Sequence, residues 1–395
     1  MRTIRIPKKL LFVANRAEFF NSHRLPIAHA AQQKGFEVHV ATPEDSYVPD
    51  LKAHDLVWHE LELEGKSLNP FQELRTIIDL IQLYRKVAPD MVHHIAFKGV
   101  LYGSIAARIA RVPRVVNAFT GLGHLFSADT SKIRIVRWFA LQALRFGFGH
   151  PHSRTIFQNP VNIDEFVGRG VLDRGQVRLI KGSGVDVHTF EPAFQPSNPP
   201  LVILASRLVW DKGVGEFVEA ARRLKEQGTD ARFALIGKSD PLNPNAVPED
   251  QLRAWDKEGA VEWWGFQEDM PGIFAQAQVV CLPSYYREGV PKVLIEAASA
   301  QRAIVTTDMP GCRDIVRDGV NGLLVPPKNP GALADALKEL VASPDLCRKM
   351  GKCGREIVID EFSVERVVEE TMNVYDELFS ESTPIPRHVR VGSGL

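Results

Sequence analysis

The stretch VVCLPSYYREGVPKVLIEAASAQRAIVTTD, residues 279–308, decides the fold of this chain. Its apolar start is typical of a buried strand, its middle is typical of a helix, and AIVTT is a second apolar strand. A strand, a helix and a strand in succession form the repeating unit of a parallel sheet that is covered on both faces. Two carboxylates, Glu288 and Glu296, lie in the loop and on the second helical turn, where the first strand ends.

The same alternation runs through almost the whole chain and predicts two α/β domains. The proline-rich segment EPAFQPSNPP (191–200) predicts a linker between one domain at 1–190 and another at 201–362. An amphipathic helix at 363–380 is expected to pack back on the first domain, and 381–395 is expected to be a mobile tail. Ligands of open parallel sheets bind beyond the carboxyl ends of the strands, so function is expected in a cleft between the two domains.

The composition excludes several classes of protein. The chain has 395 residues, 48 basic and 48 acidic side chains and a net charge of +0, which argues against a general nucleic-acid binder. Its 4 cysteines form no C-x-x-C pair, so a zinc or redox motif is not expected and the usage fits a reducing cytosol. The amino-terminal apolar run LLFVA is shorter than the ~7–15 residues of a signal peptide. No stretch approaches the ~18 apolar residues of a membrane-spanning helix.

Two cations follow the first strand of the second domain, in ILASRLVWDKGV. Arg207 and Lys212 precede a helix that starts near Gly213 or Val214. Positive charge beside the free N–H groups of a helix start makes an anion site. The alternative is a pair of solvated surface cations. The flexible backbone at Gly213 and Gly215 favours a phosphate.

The two carboxylates fit the same ligand. Pro291 suits the first turn of a helix, so the helix is expected to start near Val290. A diphosphate against this helix start and the two cations would leave Glu288 and Glu296 to accept hydrogen bonds from sugar hydroxyls. The alternatives are that Glu288 complements the helix dipole and that Glu296 lies on a solvated helix face.

The motifs resemble a known family. SRLVWDKG, REGVPKVLIEA and GCRDIVRDGVNGLLVPP together look like the nucleotide-sugar half of a retaining family 4 glycosyltransferase with a GT-B fold. In the first half, FFNSHRLPIAHAAQQKGFEVHVATP, VHHIAFKGVLYGSIAARIARVPRVVNAFTGLGHLF and FQNPVNIDEF are similar to transferases of capsule, O-antigen and polyprenyl-diphosphate glycan assembly. The resemblance implies two Rossmann-like domains that face each other across a cleft, with an acceptor-side first domain and a donor-binding second domain.

The resemblance also implies a role for each site residue. Arg207 and Lys212 would bind the donor diphosphate and act in catalysis. Glu288 would contact the transferred sugar, Glu296 would hold the ribose hydroxyls, and the amides around Gly289 and Val290 would meet phosphate.

This chain departs from the family pattern at two places. Pro291 replaces the commoner glycine, which removes one N–H donor and leaves Lys292 as a substitute charge. Many relatives have a sugar-contacting histidine where this chain has Thr120, followed by Gly121. The nearby His124 either substitutes for it or has a structural role.

The reaction that the resemblance implies retains the anomeric configuration and uses no metal and no cofactor. A UDP-sugar carrying an N-acetylhexosamine or a hexose would be the donor, and a polyprenyl-diphosphate-linked saccharide would be the acceptor. The chain has no D-x-D-like cluster for a metal, no P-loop and no G-x-G-x-x-G after the first strand. The alternatives are a sugar-nucleotide epimerase or hydrolase of the same architecture and a non-catalytic nucleotide-sugar-binding subunit.

A basic and aromatic helix in SKIRIVRWFALQALRFGFGHPHSR, 131–154, is the candidate surface for a lipid-borne acceptor. On a helical wheel Ile135, Phe139 and Phe146 share one side. The opposite side and its border carry Arg134, Arg137, Trp138 and Arg145. This pattern predicts peripheral contact with the inner face of the cytoplasmic membrane. The alternative is a core helix with a solvated basic face.

Overall fold

A seven-stranded parallel sheet forms the first domain of the computed structural model, which describes residues 7–63, 70–122, 126, 130–193, 197–240, 243–287 and 289–381. The order across the sheet is β3-β2-β1-β4-β5-β6-β7, and every pairing is parallel. The strands are β1 (Lys8–Val13), β2 (Phe36–Thr42), β3 (Val57–Glu60), β4 (Met91–Ile95), β5 (Val115–Ala118), β6 (Ser153–Phe157) and β7 (Val177–Leu179).

A six-stranded parallel sheet forms the second domain, in the order β10-β9-β8-β11-β12-β13. Its strands are β8 (Leu201–Ala205), β9 (Arg232–Ile236), β10 (Glu262–Gly265), β11 (Ala277–Leu282), β12 (Ala303–Thr307) and β13 (Gly322–Val325). Strands β8, β11 and β12 are buried along their whole length, as expected for apolar strands that are covered on both faces. The prediction of two parallel α/β sheets is confirmed.

Helices cover both faces of each sheet, which gives every domain two hydrophobic cores. In the first domain they are α1 (Ala17–Gln33), α2 (Val48–Ala53), α3 (Pro70–Val87), α4 (Ala96–Ala110), α5 (Ser131–Phe148) and α6 (Pro160–Gly168). In the second they are α7 (Val214–Glu226), α8 (Glu249–Glu258), α9 (Met270–Gln276), α10 (Lys292–Ser299), α11 (Cys312–Ile315), α12 (Pro330–Ala342) and α13 (Pro344–Glu361). Within the described ranges, no helix is both long and apolar enough to cross a bilayer.

The last described helix, α14 (Val364–Ser380), returns to the first domain. The hydroxyl of its buried Tyr375 is hydrogen-bonded to His93 Nδ1 of β4 at 2.6 Å. At the crossing between the domains, Val185 and Ser363 form a parallel bridge, with Val185 N–H donating to the Phe362 oxygen at 3.1 Å. The outgoing and returning segments of the chain therefore lie side by side.

Gly213 lies in the loop after β8 and contacts the loop after β11. It precedes α7 with a φ of 78°, and a Cβ at this position would lie 2.2 Å from the backbone oxygen of Pro283. Both the left-handed backbone and the close approach require glycine. The loop after β8 can therefore lie directly against the loop after β11.

Replacing Gly213 with alanine is expected to destabilise the second domain by about 2–4 kcal/mol, from backbone strain and overpacking combined. Gly228→Ala is the matched control, because Gly228 has a φ of 75° but no atom within 4 Å of the added Cβ. This control should cost only about 1 kcal/mol. Urea unfolding curves measure both losses, and equal losses would contradict the argument from Pro283.

Candidate active site

The loops after β8 and β11 meet at the carboxyl edge of the second sheet. The backbone oxygen of Asp211 accepts from Tyr285 N–H at 3.0 Å and from Ser284 Oγ at 3.2 Å. Arg207 and Lys212 lie in the first of these loops, and α10 follows the second. The structure therefore brings the two predicted cations next to the segment that carries the predicted carboxylates.

Each cation has a defined local setting. Arg207 is exposed two residues beyond the end of β8, and Lys212 is partly buried at the end of the 3₁₀ turn Trp210–Lys212. Helix α7 begins at Val214, directly after Gly213, so its first N–H groups lie at the same edge. Positive charge and helix-start donors together can stabilise an anion there.

Glu296 is held in a buried setting on the second turn of α10. Its side chain is only 14% exposed, and burial raises the pKa of its carboxyl, although the nearby Lys292 ammonium opposes this. Lys292 Nζ lies 3.4 Å from Glu296 Oε1 and donates to the backbone oxygen of Ser22 in α1 at 2.9 Å. Lys292, considered above as a substitute charge for phosphate, thus links Glu296 to the first domain.

The helix begins slightly later than expected. Pro291 has extended backbone as the N-cap, and α10 starts at Lys292 instead of near Val290. The backbone N–H groups of Gly289 and Val290 therefore precede the helix, where no intrahelical acceptor exists for them.

Both of these amides already have acceptors in the first domain. Gly289 N–H donates to the backbone oxygen of Thr120 at 3.0 Å, and Val290 N–H donates to Gln158 Oε1 at 3.2 Å. A Cβ at position 289 would lie 2.7 Å from the backbone oxygen of Thr120, as well as 1.7 Å from Gln158 Oε1, so the close backbone contact with Thr120 requires glycine. The phosphate contact predicted for these amides is not available in this arrangement of the domains.

The predicted residues of the first domain lie opposite this loop. Thr120 follows β5 and contacts Gly289 through its backbone oxygen, and Gly121 continues the turn with a φ of 147°. Glu288 and His124 lie outside the described residues. Their roles stay predictions.

Three residues at this contact were missed by the sequence argument. Gln158 follows β6 directly and is buried, with its Nε2 donating to the Gly182 oxygen at 3.0 Å. Arg287 Nη2 donates to Glu165 Oε2 of α6 at 2.8 Å. Because Gln158 lies at the end of a strand, the sequence could have indicated it as a site residue. The pairing of Arg287 with Glu165 joins two domains, and no sequence pattern indicates such a contact.

Helix α5 buries a different side from the one that its wheel indicated. Gly147 packs against Ser104 of α4, where a Cβ would meet Ser104 Oγ at 2.2 Å. The side with Leu141, Leu144 and Phe148 is buried in the core, whereas Ile135, Trp138 and Phe139 are 60%, 56% and 62% exposed. Helix α5 thus packs into the core on one side and exposes apolar as well as basic residues on the other, and its membrane contact stays a prediction.

The three arginines of α5 do not form one basic face. Arg134 is exposed, but the guanidinium of Arg137 lies 5.7 Å from the centre of the Phe126 ring. Arg145 Nε donates to the backbone oxygen of Gly170 at 3.1 Å, just beyond the end of α6. Arg145 thus stabilises the turn after α6 while it stays exposed, and its contact with a membrane stays a prediction.

The described residues contain no group of three or more His, Cys, Asp or Glu side chains that could hold a metal ion. The metal-free reaction stays a prediction.

Two family matches cover the two domains in turn. The family described as Glycosyl transferase 4-like matches residues 9–157, and the family described as Glycosyl transferases group 1 matches residues 188–357. The solved structure of HepE from Anabaena, in complex with UDP and glucose, has a TM-score of 0.73 at 18% identity over 93% of this chain and 99% of its own. That likeness shows the fold.

Two relatives are similar over most of their length. The N,N'-diacetylbacillosaminyl-diphospho-undecaprenol alpha-1,3-N-acetylgalactosaminyltransferase of Campylobacter jejuni is 27% identical over 382 residues, 93% of this chain and 98% of its own. The UDP-Gal:alpha-D-GlcNAc-diphosphoundecaprenol alpha-1,3-galactosyltransferase of Escherichia coli is 22% identical over 326 residues, 79% of this chain and 82% of its own. Since the two family matches together span most of the chain, the resemblance of the motifs is confirmed, and the chain belongs to the family 4 glycosyltransferases of GT-B fold.

Proposed function

We propose that the protein moves an N-acetylhexosamine or a hexose from a UDP-sugar to a polyprenyl-diphosphate-linked saccharide, in the assembly of a bacterial surface polysaccharide or glycan. The observation that carries this proposal is the nearly end-to-end similarity to a transferase that acts on an undecaprenol-linked sugar. A UDP-Gal-dependent relative and a UDP-bound structure of the same fold support UDP as the nucleotide.

The diphosphate of the donor would lie at the edge where Arg207, Lys212 and the start of α7 meet. Negative charge develops on this group as the bond between the sugar C1 and the phosphate oxygen breaks, so fixed positive charge there lowers the barrier. Glu296 would accept hydrogen bonds from the ribose hydroxyls, and Glu288 would contact the transferred sugar.

The acceptor hydroxyl would form its new bond to C1 on the face that the phosphate leaves, which retains the anomeric configuration. Its proton would pass to an oxygen of the departing phosphate. No metal and no cofactor has a step in this scheme.

A panel of nucleotide sugars with a synthetic polyprenyl-diphosphate saccharide tests the function directly. We expect one UDP-sugar to act as donor and EDTA to leave the transfer undiminished. The new linkage should have the same anomeric configuration as the sugar had in the donor. The double variant R207A/K212A should lose turnover even at saturating donor, because the two charges act most strongly in the transition state. Hydrolysis or epimerisation without transfer, loss of activity with EDTA, or near-normal turnover of the double variant would each contradict part of the proposal.

The raised pKa of Glu296 predicts how binding of UDP depends on pH. Ribose hydroxyls donate to the carboxylate, so affinity should fall as pH decreases through the pKa of the free enzyme, which lies above the ordinary 4.5. Glu296→Gln should bind UDP more weakly by about 1–3 kcal/mol and lack this component.

Calorimetry at a series of acidic pH values measures how the affinity for UDP depends on pH. Protonation of UDP itself contributes equally to the E296Q curve, so the difference between the two curves gives the contribution of Glu296. Lys292→Met should move the midpoint to higher pH, because Lys292 opposes the effect of burial on Glu296. Identical curves for the wild type and E296Q would rule out a ribose contact at Glu296.

We further infer that α5 contacts the inner face of the cytoplasmic membrane and thereby brings the cleft to its lipid-borne acceptor. Ile135, Trp138 and Phe139 are spaced so that they share one exposed helix face, and Arg134 lies beside them. An apolar face with an adjacent cation is suited to an anionic lipid interface. Contact is expected to be reversible, since Arg134 adds only roughly 1 kcal/mol near such a surface.

The triple variant I135S/W138S/F139S is expected to reduce binding to anionic vesicles by about tenfold or more, since these side chains supply most of the buried apolar area. Ile359→Ser on α13 is the control, with an exposed apolar residue of the second domain. Transfer to a long-chain acceptor should slow, while transfer to a short-chain soluble acceptor should persist. Equal loss with both acceptors would show that the change damages the fold, and no loss with either would place membrane contact elsewhere.

A further inference from the structure

One ion pair joins the domains beside the site and has no part in the scheme above. Arg287 of the loop after β11 donates through Nη2 to Glu165 Oε2 at 2.8 Å and through Nη1 to the backbone oxygen of Phe126 at 3.1 Å. The Arg287 and Glu165 side chains are only 20% and 15% exposed. Solvent therefore screens this pair less than it screens the pairs on the surface.

The two hydrogen bonds that Arg287 donates fix both the position and the orientation of the loop after β11. A planar guanidinium that binds a carboxylate and a carbonyl at once permits few orientations, which a lysine could not reproduce. The next described residues, Gly289 and Val290, are tied to Thr120 and Gln158 of the same domain. Both chain neighbours of position 288 are therefore bound to the first domain.

We propose that Arg287 and Glu165 are positioning residues that hold the two domains together during sugar transfer. This inference rests on the proposed function, in which the second domain binds the donor and the first presents the acceptor. The proposed donor contacts Arg207, Lys212 and Glu296 all belong to the second domain. Loss of the ion pair should accordingly slow transfer and spare the affinity for UDP.

The first test compares two variants around the same carboxylate. Glu165→Gln removes the charge that faces Arg287. The matched control is Arg169→Gln, because Arg169 binds the other oxygen of Glu165 at 3.2 Å within the first domain and is 46% exposed. We expect E165Q to lower kcat about tenfold or more, with the Kd for UDP unchanged within about twofold, and R169Q to behave as the wild type.

Charge reversal separates positioning from damage to the fold. Glu165→Arg or Arg287→Glu alone should be at least as impaired as E165Q. The two together should recover most of the lost kcat, because the pair is restored with its ends exchanged. The reversal is made in the R169Q background, since Arg169 would repel an arginine at position 165.

A distance measurement tests the pair without any substrate. Spin labels go on R174C and D345C, one in each domain, whose native side chains are 71% and 93% exposed. The background carries C353S, because Cys353 is partly exposed while Cys281, Cys312 and Cys347 are buried. E165Q should broaden and lengthen the interdomain distance distribution, and R169Q should leave it unchanged.

The outcomes are distinguishable. If the wild type transfers no sugar in the panel, the proposed function fails, and the spin-label distances still decide whether the pair holds the domains. If E165Q matches R169Q in kcat and in distance, the positioning role is refuted. A higher kcat for E165Q would show that the pair restrains the enzyme, which also overturns the proposal.

Discussion

The cleft depends on one contact between the domains. Gly289 and Val290, which directly precede Pro291 and α10, are hydrogen-bonded to the first domain. Gly289 and Val290 present buried N–H groups that the helix cannot satisfy, and a buried donor without an acceptor costs about 1–3 kcal/mol. The Thr120 oxygen and Gln158 Oε1 meet this requirement from the other domain. A phosphate bound at these amides would have to replace both acceptors, so in the proposed scheme the donor diphosphate lies at Arg207, Lys212 and the start of α7 and leaves this domain contact intact.

The carboxyl edge of the second sheet also holds a charged group, Glu296, at a buried position where the charged form is destabilised. Burial raises the pKa of the Glu296 carboxyl, and the ion pair with Lys292 opposes this shift only in part. Among the residues that the structure describes, Lys292 is the charged partner of this carboxylate. Hydroxyl groups of a bound ligand would donate hydrogen bonds to it, and a pKa shifted by burial is typical of ligand sites.

The sequence was sufficient for the sheets because each strand is an apolar run bounded by helical segments, a local pattern that survives in the fold. It also led to the cations at the end of β8 and the carboxylates around α10. It could not show that β8 and β11 are neighbours, since strand order is set by packing across the whole domain. The acceptors of Gly289 and Val290 lie more than a hundred residues away in the chain, beyond the reach of any local pattern.

Helix α5 shows the same limit on a smaller scale. Its wheel placed Arg134 opposite the side of Ile135 and Phe139, but two sides with apolar residues were available for the core, and in the structure Arg134 is exposed beside that apolar side. The side with Leu141, Leu144 and Phe148 is the one that packs into the core, and Gly147 lies close to Ser104 of α4, a contact with another segment of the chain. The partners of Arg137 and Arg145 were hidden for the same reason, since Phe126 and Gly170 belong to other segments.

The return of the chain through α14 sets an order on folding during synthesis. The core of the first domain includes Tyr375 and its hydrogen bond to His93, yet Tyr375 is made only after the whole second domain. The paired crossing at Val185 and Ser363 likewise requires both segments to be present. A nascent chain can therefore complete the second domain while the first still exposes the apolar surface that α14 will cover. Until α14 is made this surface stays exposed, and transiently exposed apolar surface makes a folding intermediate prone to aggregation.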